Sequence, residues 1–188
     1  MAKMDTKLSV SEINLLLRDL PWINKRTDTI IPNLSWGLLN HEADFCVINK
    51  SGYVTEIEIK RSFADLKADF KKNEFHADER VRSFYYCLPL SIKEKAEKLF
   101  GENKEKIRNL YGYDNNLYDD RIPAVIYYSE DGQLEVHGWS DRYNTRKLFL
   151  EERVSVGRLM SLRYWDVIEK RDREQLNEKI NKNKEETL

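Results

Sequence analysis

The sequence is poor in cysteine, proline and glycine, and it has no long hydrophobic run. Among its 188 residues there are only 2 cysteines, 4 prolines and 7 glycines. Cys46 and Cys87 fall in predicted strands without CxxC spacing, which is typical of reduced core residues in a cytosolic protein and excludes a disulfide framework. No run approaches about 18 apolar residues, which excludes a membrane-spanning helix, and the first residues lack the apolar core of a signal peptide. We therefore expect a cytoplasmic protein without a membrane partner.

A net charge of either sign is also missing. The 32 basic residues nearly balance the 33 acidic ones, for a formal net charge of −1. No global basic field attracts nucleic acid, so any contact with DNA must use a local patch or metal-assisted phosphate binding. The length and a hydrophobic content of 40% suit one domain with a packed core. We predict a single domain over residues 1–168, followed by a charged helical extension or disordered tail over residues 169–188.

Two stretches of alternating polarity contain the most informative residues. Residues 41–48 and residues 53–60 each alternate between polar and apolar side chains, as half-buried strands do. The segment Asn49-Lys50-Ser51-Gly52 between them is a turn signal, because its glycine can adopt a positive φ. If Asn49 and Tyr53 close a short loop, the two strands pair antiparallel as a hairpin.

This register brings charged side chains together. Asp44 would lie opposite Glu58 and Glu42 opposite Lys60, and directly paired side chains share a face with their Cβ atoms roughly 4.5–5.5 Å apart. Like charges opposite each other destabilise a strand pair, and a carboxylate removed from water is costly unless it is paired. A bound divalent cation resolves this conflict, because Mg²⁺ prefers one or two carboxylates plus water and phosphate oxygens. A neighbouring lysine can then stabilise developing charge or orient an attacking water.

An ordinary structural interpretation stays open beside this one. Glu56, Glu58 and Lys60 also suit the solvent face of an edge hairpin, with Asp44 as an isolated acid at a strand end. Three features favour the metal site: Asp44 precedes the Glu-x-Lys sequence by one hairpin, the opposite face carries an apolar stripe, and a lysine-rich helical segment follows. The stripe consists of Phe45, Val47, Ile57 and Ile59.

These residues resemble a known superfamily. Asp44, then Glu58-Ile59-Lys60 on the next strand, then a helix, is similar to the PD-(D/E)xK phosphodiesterases, which have the restriction-endonuclease-like fold. The run from Glu56 to Lys72 is also similar to a segment of MmcB-like DNA-repair proteins, in which a Glu-x-Lys strand leads into a helix that opens with Ser. The motif covers about residues 41–90, and the strand order extends the resemblance to about residue 168. Ala43 stands where the superfamily has the proline of its name.

The resemblance implies a role for each residue of the motif. Asp44 and Glu58 would hold Mg²⁺ or Mn²⁺, and the carbonyl of Ile59 would be a further ligand. Lys60 would polarise or orient the water and stabilise developing charge.

One more metal ligand has two candidates. In the superfamily an acid on the first helix often joins the metal site, which points to Glu12. The same residue also suits a helix N-terminus, where the helix dipole favours an acid. Glu42 is the competing ligand, because the hairpin register places it on the face that carries Asp44.

The segment from Ser62 to about Glu79 is predicted to be a helix, with Ser62 as its N-cap. Asp65 and Asp69 alternate with lysines along it, which is typical of a solvated helix face. The alternative is a face that follows a phosphate backbone beside the metal. The nucleic-acid-binding candidates of this second interpretation are Arg61, Lys67, Lys71 and Lys72.

The remaining elements follow from periodicity and capping signals. Ser11 is the expected N-cap of a first helix that Pro21 bounds, and a first strand is expected to end near Leu39. Val81–Pro89 is a near-continuous apolar run, typical of a buried central strand. Its connection through the preceding helix implies a right-handed βαβ unit.

The second half of the chain continues this alternation. Ser91 is expected to cap a helix over about residues 92–110, and residues 123–139 are predicted to form a second hairpin. A final helix covers about residues 156–181, and its expected buried stripe is Leu159, Leu162, Trp165 and Ile168. The order α-β-β-β-α-β-α-β-β-α predicts a mixed α/β sandwich. It suits the three-layer α/β/α restriction-endonuclease-like core with a central mixed sheet that the resemblance implies.

The sequence therefore predicts a metal-dependent phosphodiesterase, a nuclease that acts on DNA in repair, recombination or the processing of mobile elements or phage. Its catalytic candidates are Asp44, Glu58 and Lys60, with magnesium or manganese as the cofactor. Many nucleases pair two active sites, so a homodimer stays open. The alternative hypothesis is a non-catalytic module on the same fold that binds nucleic acid or protein.

Overall fold

The chain folds into an α/β structure built on one six-stranded mixed sheet. The computed structural model describes residues 4–34, 37–71, 78–111, 124–138, 141–142 and 145–185. Two compact units are formed, Met1–Leu148 and Phe149–Leu188, and the sheet belongs to the first. In chain order the elements are α1 (Val10–Arg18), β1 (Thr29–Leu34), β2 (Ala43–Ile48), β3 (Val54–Ile59), α2 (Phe63–Asp69), β4 (Val81–Pro89), a 3₁₀ turn (Leu90–Ile92), α3 (Lys93–Glu102), α4 (Lys104–Tyr111), β5 (Val125–Tyr128), β6 (Leu134–His137) and α5 (Leu150–Glu185).

The strands lie in the sheet in the order of the sequence. The strands β1 to β3 pair antiparallel, as do β5 and β6, whereas β4 pairs parallel with both of its neighbours, β3 and β5. The last six residues of β4 are buried. The α/β class and the buried central strand over Val81–Pro89 are thus confirmed. The first strand ends at Leu34 and not near Leu39, so that expectation is wrong.

The hairpin between β2 and β3 has the predicted register. The N–H of Asn49 donates to the carbonyl of Tyr53 at 3.0 Å, and Gly52 takes the positive φ of 88° that the turn requires. The ladder then runs through the pairs Ile48↔Val54, Val47↔Thr55, Cys46↔Glu56 and Phe45↔Ile57. One further step in the same register places Asp44 opposite Glu58.

Apolar residues pack on both faces of the sheet. On one face, Ile13 and Leu17 of α1 join the core. On the other face, Tyr86 of β4 contacts Phe70 and Phe100, with ring centroids 6.0 Å and 5.7 Å away. The predicted stripe belongs entirely to the α1 face and comprises Phe45, Val47, Ile57 and Ile59. The alternate residues of β2 and β3 therefore point to the face on which α2 lies.

The first helix begins after Ser9 and not after Ser11. The N–H of Glu12 donates to Ser9 Oγ at 3.2 Å, and the N–H of Ser9 donates to the Glu12 carboxylate at 2.7 Å. These reciprocal bonds form a capping box. The expected cap at Ser11 is wrong because only Ser9 has a glutamate three residues later.

Replacing Ser9 with alanine is expected to lower the free energy of unfolding by about 1 kcal/mol, because the N–H of Glu12 loses its acceptor. Urea unfolding followed by circular dichroism measures this change. Ser11→Ala is the matched control and should change stability by less than about 0.5 kcal/mol. Equal losses in the two variants would contradict the assignment of the cap.

The second helix, α2, is shorter than expected. Its cap at Ser62 is confirmed, since Ser62 Oγ accepts a bond of 3.1 Å from the N–H of Asp65. The helix ends at Asp69 and not near Glu79, because the N–H of Lys71 donates to the carbonyl three residues earlier at 3.1 Å and so tightens the last turn. Asp69 is only 1% exposed, so the interpretation as a solvated helix face is wrong at this position.

The helix expected over residues 92–110 is two helices, α3 and α4. The amide of Asn103 donates to the carbonyl of Leu99 at 2.8 Å, and the backbone at Asn103 has φ −115° and ψ 24°. A side-chain amide that bonds locally competes with helical hydrogen bonding, which explains the break. Ser91, the expected cap, instead donates its hydroxyl to the carbonyl of Asp5 at 2.9 Å.

The last helix, α5, begins at Leu150 and spans 36 residues, so the boundary expected after residue 168 falls inside it. Leu162 and Trp165 are 64% and 62% exposed, and the expected buried stripe is therefore wrong at both. Leu159 and Ile168 are half-buried. The apolar residues of this segment point in several directions around the helix axis, so one face cannot bury them all. None of the helices in the described ranges combines the length and the apolar character that a membrane span requires.

Candidate functional site

Charged side chains at the adjacent ends of β2 and β3 point to the face of the sheet on which α2 lies. Cys46 pairs with Glu56 in the ladder, so Asp44 and Glu58, each two residues from that pair, point to the same face. Asp44 Oδ2 accepts a hydrogen bond of 2.8 Å from the N–H of Ile59. The structure thus brings the Asp44 carboxylate to the peptide that directly follows Glu58.

Lys60 sits beside Glu58 and is almost fully enclosed. Its Nζ lies 2.5 Å from Glu58 Oε1 and 3.1 Å from Asp69 Oδ1. The side chains of Lys60, Glu58 and Asp69 are 11%, 9% and 0% exposed. A lysine and carboxylates at such burial persist only when they are paired with each other. The ion pairs of Lys60 are therefore buried interactions of the protein interior and not surface contacts.

Asp69 and Tyr86 are the site residues that sequence reasoning missed. The hydroxyl of Tyr86 donates to Asp69 Oδ2 at 3.0 Å, and Tyr86 is the parallel partner of Glu58 in the ladder between β3 and β4. A weak signal was present, because Asp69 follows the buried Leu66 by three residues and so lies on the inner side of the helix. We call Lys60, Glu58, Asp69 and Tyr86 the lysine cluster.

The pKa of Lys60 lies above its ordinary value. Burial alone lowers the pKa of this ammonium, and the negative charges of Glu58 and Asp69, together with their hydrogen bonds, more than offset that effect. Lys60 is therefore a cation at neutral pH. Its ammonium can donate hydrogen bonds, but it does not act as a general base at neutral pH.

A second buried acid lies next to the cluster. Glu56 is fully buried, and its Oε1 lies 2.9 Å from Nε2 of His41. The pKa of the Cys46 thiol is raised well above its usual value, first by burial and then by the charges of Glu56, Glu58 and Asp44. Three carboxylates thus act on one point of this face. Cys46 is a free, buried thiol, as is Cys87, so both are reduced core residues as expected.

The two candidates for a further metal ligand occupy different surroundings. Glu42 is exposed and borders a pocket of about 160 Å³ that Asn33 and Asp44 also line. Glu12 is exposed too, but its carboxylate accepts the capping bonds of Ser9, which lower its pKa. Glu42 therefore shares a cavity with Asp44, whereas Glu12 already has a structural use.

The basic candidates lie around α2. Arg61 is half-buried, and Lys67 and Lys71 are exposed. Lys72 lies outside the described residues. Lys67 lies on α2 and Lys71 lies just after it, and both are accessible to a charged partner.

Oxygen donors for a divalent cation are present at the ends of the two strands. Within the described ranges, no three His, Cys, Asp or Glu side chains come together as a metal-binding group. Mg²⁺ usually takes only one or two protein carboxylates, and water and substrate phosphate complete its octahedron. Asp44, Glu58 and the carbonyl of Ile59 offer oxygen donors, the ligand type that Mg²⁺ and Mn²⁺ prefer. A cation there would compete with Lys60 for the carboxylate of Glu58.

Comparisons with known proteins assign no family. No family model matches the chain, and no solved structure matches it. A glycogen synthase from Lachnospira eligens is 35% identical over 69 residues, which are 37% of this chain and 14% of that protein. The chain thus spans a small part of the length of this relative.

Proposed function

We propose that this protein is a metal-dependent phosphodiesterase, a nuclease that cuts DNA. The observation that carries the proposal is the convergence at the ends of β2 and β3, where Asp44 contacts the peptide after Glu58 and the Lys60 ammonium lies 2.5 Å from Glu58. Carboxylates can hold a magnesium ion that assists the hydrolysis of a phosphodiester, and a neighbouring ammonium can stabilise the negative charge that develops. The resemblance of these same residues to the PD-(D/E)xK superfamily supports the proposal.

The fold supports it at a coarser level. The α/β structure has a mixed sheet, with Ile13 and Leu17 of α1 on one face and Phe100 of α3 on the other. We propose that this is the three-layer restriction-endonuclease-like core. Glu58 lies at the carboxyl end of β3, beside its parallel neighbour β4, and the carboxyl ends of strands are where α/β folds commonly place their sites.

Each residue of the motif has a proposed role. The bound ion would supply Lewis-acid stabilisation of the phosphate and lower the pKa of a water. Lys60 would donate a hydrogen bond to that water or to a phosphate oxygen, where it opposes developing negative charge. The proposed ligands of Mg²⁺ or Mn²⁺ are Asp44, Glu58, the carbonyl of Ile59, and either Glu42 or Glu12.

DNA would be bound locally, because the formal net charge of the chain is −1. The proposed phosphate contacts are Arg61, Lys67, Lys71 and Lys72. Such a nuclease would act in DNA repair, in recombination or in the processing of mobile elements or phage. A homodimer would supply two active sites for cuts in both strands.

The direct test is cleavage of plasmid, linear, branched and single-stranded DNA by the purified protein with Mg²⁺ or Mn²⁺. We expect cutting that a chelator stops and that Asp44→Ala and Lys60→Ala each lower by about 100-fold or more. Asp65→Ala removes a carboxylate from α2 outside the site and should cut at the wild-type rate. The proposal would be refuted if the wild type cut no DNA, or if the Asp44→Ala and Lys60→Ala variants cut DNA at the wild-type rate.

A non-catalytic nucleic-acid- or protein-binding module is the second candidate. One observation favours it: the Lys60 ammonium already contacts two carboxylates, which allows the cluster to be stable without a cation. Such a module would bind its partner equally well with and without Mg²⁺.

A further inference from the structure

We infer that Asp69 and Tyr86 are positioning residues, which hold the ammonium of Lys60 at the site when a cation engages Glu58. The inference rests on the proposed function. The two partners of Lys60 would have different roles in the proposed reaction. Glu58 is a proposed metal ligand, so a bound cation would weaken its interaction with Lys60. Asp69 is not a proposed ligand, so its interaction with Lys60 would persist.

Lys60 needs a second ion-pair partner to fix its ammonium, because the lysine side chain is flexible. Four methylene groups separate the ammonium from the backbone, and a misplacement of about 1 Å in a catalytic group can lower a rate by about 100-fold. If Glu58 were the sole partner, Lys60 would lose its position whenever the cation bound. Asp69 Oδ1, at 3.1 Å from Nζ, provides a partner that the cation leaves in place.

Asp69 is itself held rigidly. It is 1% exposed at the end of α2, and its second oxygen accepts the hydroxyl of Tyr86 at 3.0 Å. The ring of Tyr86 stacks on Phe100, with centroids 5.7 Å apart and planes 24° apart, and meets Phe84 edge-on at 5.1 Å. Packed aromatic rings restrict the tyrosine, the tyrosine restricts the carboxylate, and the carboxylate restricts the ammonium.

The hydrogen-bond count of Lys60 leaves room for substrate. An ammonium has three N–H donors, and within the described residues two of them point to Glu58 and Asp69. The third is available to a water or to a phosphate oxygen. Asp69 therefore acts through Lys60 and not on the reacting atoms.

The experiment measures DNA cleavage and lysine reactivity in Asp69→Asn, Tyr86→Phe and a matched control. Asp69→Asn should lower kcat about 10–100-fold while KM for DNA changes less than about threefold. Tyr86→Phe should lower kcat about 2–10-fold, less than Asp69→Asn, because it removes one hydrogen bond to the Asp69 carboxylate but leaves that carboxylate beside Lys60. In a Lys60→Met background, Asp69→Asn should cause no further loss, because its effect passes through the lysine. Asp78→Asn removes another buried aspartate, bonded to Arg80, and should leave kcat unchanged.

The second readout does not need DNA cleavage. Acylation of Lys60 by an amine-reactive reagent, measured by peptide mass spectrometry against Lys67 as internal reference, should accelerate about tenfold in Asp69→Asn, because a hydrogen bond to a charged group is lost. Unchanged acylation, or a wild-type kcat in Asp69→Asn, would overturn the inference while leaving the nuclease proposal intact. Accelerated acylation in a protein that cuts no DNA would instead refute the nuclease proposal and support the holding of Lys60 by Asp69.

Discussion

Replacing Lys60 with methionine is expected to lower the free energy of unfolding by about 3–5 kcal/mol at neutral pH, the usual effect of removing one partner from a buried ion pair. Methionine is unbranched like lysine and shorter by only one atom, so little packing is lost. What is lost is the cation between Glu58 and Asp69, whose side chains are 9% and 0% exposed. Two carboxylates would then remain in the interior without the ammonium that they share.

Urea unfolding of both proteins measures the difference. The matched control is Lys67→Met, an exposed lysine on α2, which should change stability by less than about 0.5 kcal/mol. A loss below about 1 kcal/mol in Lys60→Met, the range of exposed ion pairs, would show that the ammonium contributes no more than a surface lysine does.

The pH dependence of this difference has a definite sign. Burial lowers the pKa of Lys60, but the charges of Glu58 and Asp69 raise it further, so the folded pKa lies above the unfolded one. The contribution of Lys60 is therefore fully present below the unfolded pKa of about 10.4 and is lost as pH rises through the folded pKa. The stability gap between wild type and Lys60→Met should be constant from pH 7 to about pH 9 and should narrow above about pH 10.4. If the stability gap widened above about pH 10.4, the conclusion that folding raises the pKa of Lys60 would be wrong.

Magnesium is expected to stabilise the wild-type protein by about 2.7 kcal/mol at 100 times its dissociation constant and by about 4.1 kcal/mol at 1,000 times. The reason is mass action, since the strand pairing that sets Asp44 opposite Glu58 exists only in the folded state. Thermal unfolding at increasing Mg²⁺ concentration measures the shift. Because a bound ion would compete with Lys60 for Glu58, the shift should be larger in a Lys60→Met variant than in the wild type.

Asp44→Asn and Glu58→Gln should each remove most of the magnesium effect, because a neutral amide replaces a charged ligand. Asp65→Asn, in the first turn of α2, is the control and should retain it. A midpoint that does not respond to Mg²⁺ or Mn²⁺ in the wild type would favour the non-catalytic module. A response that survives both Asp44→Asn and Glu58→Gln would place the cation elsewhere in the protein.

Local signals explain which parts of the fold were predictable. The register of the β2–β3 hairpin follows from a turn with Gly52 and from alternation on both strands, because a slip by one residue would expose the whole apolar stripe. The buried strand β4 follows from its continuous apolar run. These patterns act between near neighbours in the chain, so they can be read without the rest of the molecule.

The ends of helices were harder to predict because several signals compete there. Ser9 and Ser11 both suit an N-cap, and the choice depends on the reciprocal bond with Glu12. The break at Asn103 depends on a side-chain amide that bonds to Leu99. On α5, the exposure of Trp165 could not be inferred from periodicity, because an apolar side chain on a helix is buried only where something packs on it.

The sequence by itself determined the α/β class, the hairpin register and the common face of Asp44, Glu58 and Lys60, because strand alternation and turn chemistry are local properties. Only the tertiary structure decided that Asp69 turns inward to Lys60 and that Tyr86 reaches Asp69 from the neighbouring strand. These contacts join residues 9 and 17 positions apart, which lie just after β3, at the end of α2 and in β4. Whether an aspartate on a charged helix meets water or an ammonium depends on what lies opposite it, and that is set by how the helix docks on the sheet.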